Sequence, residues 1–335
     1  MTRRSISRNM KPRMATALAT LMSRPSVELV LHRSPVDRLT RLERALGPGS
    51  PRLLIKRDDL LGFGLGGNKV RKLQLIAAEA GRVGADTLIT CGAVQSNHAR
   101  VTAATGAALG WQVILVLNGA RPDAPTGNLR HDLHFGADVR FVASRDDREA
   151  AMAEAADAAR LAGRTPFVIP VGGSTPIGAM GMARAVAELS ADGLKPDVIV
   201  HASSSGGTQA GLVAGCALFG VKTRVLGVSA DEPAPVLVAV VEDLIGRMAT
   251  VLGGRPETLL GPHGVQVDDR PAGPGYGIPT DASREASILI ARTEGIVLDD
   301  VYTSKAMAGL IAQVRSGEFT SDQTILFWHT GGLIG

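Results

Sequence analysis

The sequence predicts an α/β protein of open parallel sheets covered by helices, and three observations carry that reading. Apolar runs of strand length alternate with stretches of helical periodicity from Arg52 onward. The strand-like runs, such as Thr87 to Cys91 and Thr324 to Trp328, are apolar on both faces, as parallel strands buried under helices are. Composition agrees, since 45% hydrophobic residues, 40 glycines and 3% aromatics in 335 residues suit an Ala/Gly/Val-rich core of two domains.

Taken in order, Arg52 to Lys56 (RLLIK) reads as a strand, and Asp58-Asp59 with the glycines of 62–67 as a loop. A helix is expected from about Asn68, because Val70, Leu73, Ile76, Ala77 and Ala80 recur at helical spacing before Gly81 and Gly84. The strand Thr87 to Cys91 follows, then a helix after Ser96, strands at Gln112 to Leu117 and near Val139 to Val142, a helix over 148–161, and a strand from Phe167 to Val171. A second series runs through helix 177–189, strand 198–200, loop 203–207, helix 208–218, strand 224–228, helices near 235–251, 281–294 and 304–315, and strand 324–328. Arg270 to Pro279 is so rich in turn formers that it reads as an ordered loop over a site.

The net charge of +4 does not point to nucleic acid. Arg3, Arg4, Arg8, Lys11, Arg13 and Arg24 precede any acid, so the rest of the chain is net negative and the basic charge belongs to an N-terminal arm, residues 1–30. The arm lacks the apolar stretch of a secretory signal. It reads as an extension, a targeting segment or a subunit contact. No run approaches the roughly 20 apolar residues of a membrane span. Two cysteines are too few for a disulfide framework or a cysteine-only zinc site, and a reducing cytoplasm is expected, with no metal.

Four segments carry chemistry. The glycines of 62–67, with Asp86 further on, formally match a dinucleotide fingerprint, but Arg57, Asp58 and Asp59 separate them from the strand. Lys69 falls in the first turn of a helix, whose dipole disfavours a cation and so favours a nucleophilic amine for Schiff-base chemistry; the alternative is a solvated lysine beside Arg71 and Lys72. Ser96, Asn97 and His98 follow a parallel strand, where α/β proteins bind ligands, although Ser96 or Asn97 could equally cap a helix. Ser203 to Thr208 reads as a phosphate cradle at a helix N-terminus, with no lysine at P-loop spacing. The only tyrosines, Tyr276 and Tyr302, both neighbour loops, where they could orient substrate or move protons.

The strings IKRDD, GGNKVRKL, TLITCGAVQSNHAR, VIPVGGSTPIGAMG, SSSGGTQAGL, PGYGIP, LDDVYTSKAMAGLI and ILFWHTGG occur in one order over nearly the whole chain from about residue 31. In this the chain resembles the family of pyridoxal-phosphate enzymes that contains D-cysteine desulfhydrase and 1-aminocyclopropane-1-carboxylate deaminase, within the tryptophan synthase β-like fold (fold type II). The resemblance implies a pyridoxal 5'-phosphate cofactor, a cytoplasmic homodimer, and a larger domain of 31–66 and 178–335 with a smaller one of 67–177 inserted. It implies Lys69 as the Schiff-base lysine and base, Ser96 in substrate contact and proton transfer, and Asn97 at the cofactor's phenolic oxygen. Ser204, Ser205, Gly206, Gly207 and Thr208 would hold the phosphate, Tyr276 and Tyr302 would pair in the active site, and Gly172, Gly173, Ser174, Thr175 and His98 would line the substrate side.

Two positions bear on the branch. The deaminase pattern has Glu and Leu where this chain has Thr303 and Thr330, and a hydroxyl near the pyridine nitrogen suits β-elimination better than extended charge delocalisation. The implied activity is carbon–sulfur lysis of D-cysteine to pyruvate, ammonia and sulfide. The alternatives are sulfite release from L-cysteate, which would want an extra cation near the leaving group, then deamination of the cyclopropane amino acid, and outside catalysis a cofactor-binding protein. Asp300 stands where the family usually has Pro, the arm is longer than usual, and Gly335 follows the last motif closely; each leaves the local shape open.

Overall fold

The computed structural model describes residues 12–30 and 32–332. In chain order the elements are α1 (Pro12–Ser23), β1 (Val36–Arg38), α2 (Thr40–Leu46), β2 (Arg52–Arg57), α3 (Lys69–Arg82), β3 (Thr87–Ala93), α4 (Asn97–Leu109), β4 (Gln112–Asn118), α5 (Gly127–His134) and β5 (Asp138–Val142). They continue with α6 (Arg148–Leu161), β6 (Pro166–Ile169), α7 (Pro176–Ala191), β7 (Val198–Ser203), α8 (Gly207–Leu218), β8 (Arg224–Ser229), α9 (Ala234–Leu252), α10 (Pro256–Leu260), β9 (Gln266–Asp268), α11 (Asp281–Glu294), α12 (Thr303–Arg315) and β10 (Thr324–His329).

Two sheets result. The six-stranded sheet has the order β1-β2-β10-β7-β8-β9 and is parallel except for β1, and the four-stranded sheet has the order β5-β4-β3-β6 and is parallel throughout. Both faces of the larger sheet are covered. Residues of α1, α7, α8 and α9 form one core against it, and residues of α2, α11 and α12 form another. The smaller sheet is packed by α3 and α4 on one side and by α6 on the other. Strands buried on both faces must be apolar on both, which is why β3, β7 and β10 read as continuous apolar runs.

The long periodic elements match their expectation, while short pieces escaped it: β1, α2, α5, α10 and β9 are only three to eight residues long and carry too few repeats to show a period. β6 ends at Ile169, and Val171 instead enters a 3₁₀ turn.

The N-terminal arm needs correction. Residues 1–11 lie outside the described residues, but Pro12–Ser23 forms a helix with Ala17 and Leu21 buried in the main core. Arg184 donates to the carbonyls of Leu21 and Arg24 beneath it. That segment belongs to the folded body; its apolar positions were masked by the density of arginines around them.

Candidate active site

The carboxyl ends of β2, β3, β7, β8 and β10 and the loops after them converge on one cleft of about 230 Å³. Each strand hands over a short polar segment. Asn68 and Lys69 come after β2, Ser96, Asn97 and His98 after β3, Ser204 to Gly206 and Thr208 after β7, Asp231 and Glu232 after β8, and Thr330 and Gly331 after β10. Tyr276 and Tyr302, from the 270–279 loop and the N-terminus of α12, complete the wall.

Lys69 opens α3 and lines the cleft, and loss of hydration lowers its ammonium to about 8. The sequence argument placed this effect in the helix dipole; burial is the stronger cause. The absence of a lysine near the phosphate cradle is also corrected. Lys72, one turn further on, is fully buried, donates to the Gly172 carbonyl at 3.0 Å, and lies 2.9 Å from where a side chain on Gly207 would begin. Far from being a solvated neighbour, it is held well below its ordinary value by burial and by Lys69. Loop sequence could not reveal it, because Lys72 reaches the cradle from another element.

At the cradle itself, Gly206 has φ of 76°, a left-handed turn that opens the first turn of α8. Gly207 donates its N–H to Ser174 Oγ at 3.3 Å, Ser174 donates to Ser205 Oγ at 2.8 Å, and Asn68 Nδ2 donates to Thr208 Oγ1 at 2.8 Å. A Cβ on Gly207 would meet Ser174 Oγ at 2.6 Å. Gly207, Gly173, Ser174 and Thr175 therefore stand behind the lining residues, and Thr175 caps α7 by accepting from the Gly178 N–H. Gly172 alone of the 172–175 turn reaches the cleft.

On the other wall Ser96 both lines the cleft and caps α4, accepting from the Ala99 N–H at 3.2 Å. Asn97 Oδ1 accepts from Asn128 Nδ2 at 3.0 Å and Arg100 Nη1 at 3.3 Å, which leaves its amide N–H groups as donors for the cleft. His98 is buried with Nε2 2.8 Å from Thr90 Oγ1 and Nδ1 without a partner, and burial keeps the ring neutral. The phenols of Tyr276 and Tyr302 meet at 2.5 Å with their rings edge to face. Burial raises both, so each stays protonated at neutral pH.

Thr303 is a correction. It is fully buried outside the cleft, donating from Oγ1 to Asp299 Oδ2 at 2.5 Å, whereas Thr330 lines the cleft. Asp299 also accepts from the N–H groups of Val301, Tyr302 and Thr303, so it shapes the start of α12, and Asp300 next to it is exposed. Arg145 and Arg148 line the mouth, and neither was singled out in the sequence, since many arginines flank helices. Asp86 is taken up by the Thr165 N–H and Thr87, far from any dinucleotide role. Among the described residues no group of His, Cys, Asp and Glu is placed to hold a metal ion.

Fold and cleft define a class: an α/β enzyme in which a desolvated lysine shares a cleft with an anion-cradling helix N-terminus. The chain belongs to the pyridoxal-phosphate dependent enzyme family, whose profile matches residues 27–331. It is 39% identical to the D-cysteine desulfhydrase of Yersinia enterocolitica over 92% of this chain and 94% of that one. The D-cysteine desulfhydrase of Salmonella newport gives the same identity and shares. Among solved structures, an ACC deaminase homologue superposes with a TM-score of 0.86 at 36% identity, covering 96% of this chain and 95% of that one. A pyridoxal 5'-phosphate-dependent aspartate racemase, at 15% identity and a TM-score of 0.69 over 96% of each chain, shares the fold.

The residues fit that cofactor on their own geometry. A fully buried lysine, Lys72, beside a helix N-terminus suits a phosphate, the Gly207 position admits no side chain because Ser174 and Lys72 already fill that space, and Lys69 offers an amine at the cleft wall.

Proposed function

We propose that this protein eliminates the β-substituent of D-cysteine, releasing pyruvate, ammonia and sulfide. The observation that carries the reading is the single cleft holding Lys69, the Asn97 amide, the α8 N-terminus and the tyrosine pair, in a chain 39% identical to D-cysteine desulfhydrases. Lys69 would hold the cofactor covalently. Ser204, Ser205, Thr208 and the backbone N–H of Gly206 would hold its phosphate with Lys72 behind them, Asn97 its phenolic oxygen, and Thr330 its ring nitrogen.

When bound, the cofactor supplies an electron sink for the pair left by a departing α-proton. The protein's part is acid–base work and positioning. The free Lys69 amine would accept the α-proton at Nζ, its value near 8 making it a base that is partly unprotonated at neutral pH. The Cβ–S bond then breaks with its electron pair on sulfur, and the aminoacrylate left behind would be hydrolysed by water to pyruvate and ammonia. Tyr276 and Tyr302 are both protonated and share one hydrogen bond, so the phenol that accepts it would be free to donate toward that charge, and Ser96 would hold the substrate beside Asn97 and His98. Thr330 would offer a neutral hydroxyl where the deaminase pattern has Leu.

A second reading has one specific observation behind it. Arg145 and Arg148 line the cleft, and a sulfonate leaving group would want such a cation, so L-cysteate with sulfite release is the competing substrate. We also infer that the larger sheet, with residues 31–66 and 178–335, and the smaller, within 67–177, form two domains with the cleft between. Sheet membership supports this, although a boundary at 175/176 would leave α7 whole. A cytoplasmic homodimer is the expected working form; no helix of the described residues is long and apolar enough to cross a membrane.

The test is the visible spectrum of the purified protein and of Lys69→Ala, followed by D-cysteine, L-cysteine, L-cysteate and 1-aminocyclopropane-1-carboxylate in turn. Expected are a cofactor band bound through Lys69 and lost in the variant, and pyruvate with sulfide from D-cysteine. Sulfite from L-cysteate would move the assignment to the second reading, and 2-oxobutyrate from the cyclopropane substrate to a deaminase. A bound cofactor with no product from any substrate would leave a binding protein.

A further inference from the structure

Lys305 lies on α12, one turn beyond Tyr302, and its side chain is fully buried. Its Nζ donates to three backbone carbonyls: Ala230 at 2.9 Å, just beyond β8, and Ala272 at 2.6 Å and Gly275 at 2.8 Å, both in the Pro/Gly-rich loop. An ammonium has three N–H donors, so all are used, and none goes to a carboxylate. Three carbonyl oxygens converging on one positive charge at such distances are also the surroundings that strip and hold a small monovalent cation.

The contact has a direct bearing on the tyrosine pair. The Gly275 carbonyl belongs to the peptide bond that leads into Tyr276, and Lys305 shares its helix with Tyr302. The loop between has little bonding of its own: the Ala272 N–H reaches the Asp269 carbonyl, and the Ile278 N–H reaches that of Gly275 at 3.4 Å. Gly275 itself, with φ of 146°, is in a conformation that side chains rarely adopt, so the turn that carries Tyr276 rests on that one long local bond and on the Lys305 contact. One ammonium thus joins both partners of the 2.5 Å phenol contact.

We propose that Lys305 is a positioning residue, a tethered cation that seats the 270–279 loop and sets Tyr276 against Tyr302, in a carbonyl cage that takes up free potassium or ammonium when the lysine side chain is removed. The inference rests on the reading of the tyrosine pair as part of the reaction. Asp231, Asp299 and Arg148 are the charged groups around the pair. The chain holds no other tyrosine, so tyrosine ionisation measured by ultraviolet difference absorbance reports on the pair alone.

The experiment compares wild-type holoenzyme with Lys305→Ala and Lys305→Met in tetramethylammonium chloride and in potassium or ammonium chloride. In tetramethylammonium, kcat of Lys305→Ala should fall at least about tenfold with the cofactor band unchanged, since each tenfold loss reflects a misplaced group rather than a lost cofactor. Potassium or ammonium should restore it saturably. Lys305→Met should lose as much and recover nothing, because its side chain fills the cage. In both variants without rescue, one tyrosine should ionise near the ordinary value of about 10, as the loosened pair hydrates. Lys305→Gln, whose amide still bonds two carbonyls, covers the case in which alanine prevents folding; it should show the same loss and the same tyrosine ionisation. Wild-type kcat and tyrosine titration in Lys305→Ala or Lys305→Gln overturn the proposal, as does a loss of kcat that neither cation repairs and that leaves the tyrosines unmoved. Because the titration needs no substrate, it decides the role of Lys305 even if D-cysteine proves not to be consumed.

Discussion

Lys69 and Lys72 are three residues apart on one helix, yet they have different surroundings. The first opens on the cleft, and the second is enclosed between α3, the 172–173 turn and the first turn of α8. The Lys69 charge disfavours protonation of Lys72, which adds to desolvation there, while at Lys69 desolvation dominates. A phosphate held at the cradle would favour the charged form of Lys72 and leave Lys69 the freer amine. The consequence is measurable in protein stripped of cofactor: the rate of covalent cofactor capture should climb as pH passes through about 8, well below the 10.5 of an ordinary lysine. The sign for stability follows from the same shift. The folded chain holds fewer protons at Lys69 than the unfolded chain between about 8 and 10.5, so this group's contribution to stability rises with pH across that window. A stability profile of apoprotein in which Lys69→Met removes no part of that rise would contradict the assignment.

Among elements, α7 is the piece on which the cleft is built. It packs against α3 on one side and α8 on the other at a separation that only glycine permits. A Cβ on Gly181 of α7 would lie 2.1 Å from the Arg71 carbonyl, and one on Gly211 of α8 would lie 2.2 Å from the Ala179 carbonyl. These clashes are with backbone, which cannot rotate aside. Close approach of α8 to α7 carries the phosphate cradle toward Lys72, so the glycines at these crossings serve the site at a distance. Gly211→Ala is expected to cost about 1–3 kcal/mol of stability, read from urea unfolding, as an overpacked interface does. A variant with an unchanged midpoint would show that the helices can separate freely.

For the whole molecule, a buried ionic network ties the two sheets' segments together. Asp58, just past β2, accepts from Arg71 on α3, Ser34 and the Trp328 indole of β10, and burial is more than offset there because the Arg71 cation keeps its carboxyl charged. Arg71 also pairs with Glu188 of α7 at 2.6 Å, and Lys56 of β2 pairs with the same Glu188 at 2.6 Å. The motifs around IKRDD and GGNKVRKL thus serve architecture as much as chemistry: they hold the helix bearing Lys69 to the larger sheet. Arg71→Met should destabilise the protein by about 3–5 kcal/mol, since it strands the buried Asp58 carboxylate rather than removing a neutral contact. Denaturant unfolding measures this directly, and a loss under 1 kcal/mol would mean that Lys56 alone suffices. Across the mouth, Arg145 meets Glu232 at 3.3 Å, an exposed pair of small energetic weight that nevertheless joins the two walls.

How much of this was legible in the chain depends on range. Local pattern determined the long helices and buried strands, because a period of 3.6 or an unbroken apolar run is written in neighbouring residues, and the order of motifs identified the family and put Lys69, Ser96, Asn97, the 204–208 loop and the tyrosines forward together. Tertiary structure alone decided which polar side chains share the cleft. It brought Arg145 and Arg148 to it and Lys72 behind its phosphate cradle, turned Thr303 away toward Asp299, set Gly173 to Thr175 behind the lining, and folded Pro12–Ser23 onto the core. The physical reason is that desolvation, and contact between residues distant along the chain such as Lys305 with Ala230 and Gly275, arise only when separate segments pack, and no local spacing encodes them.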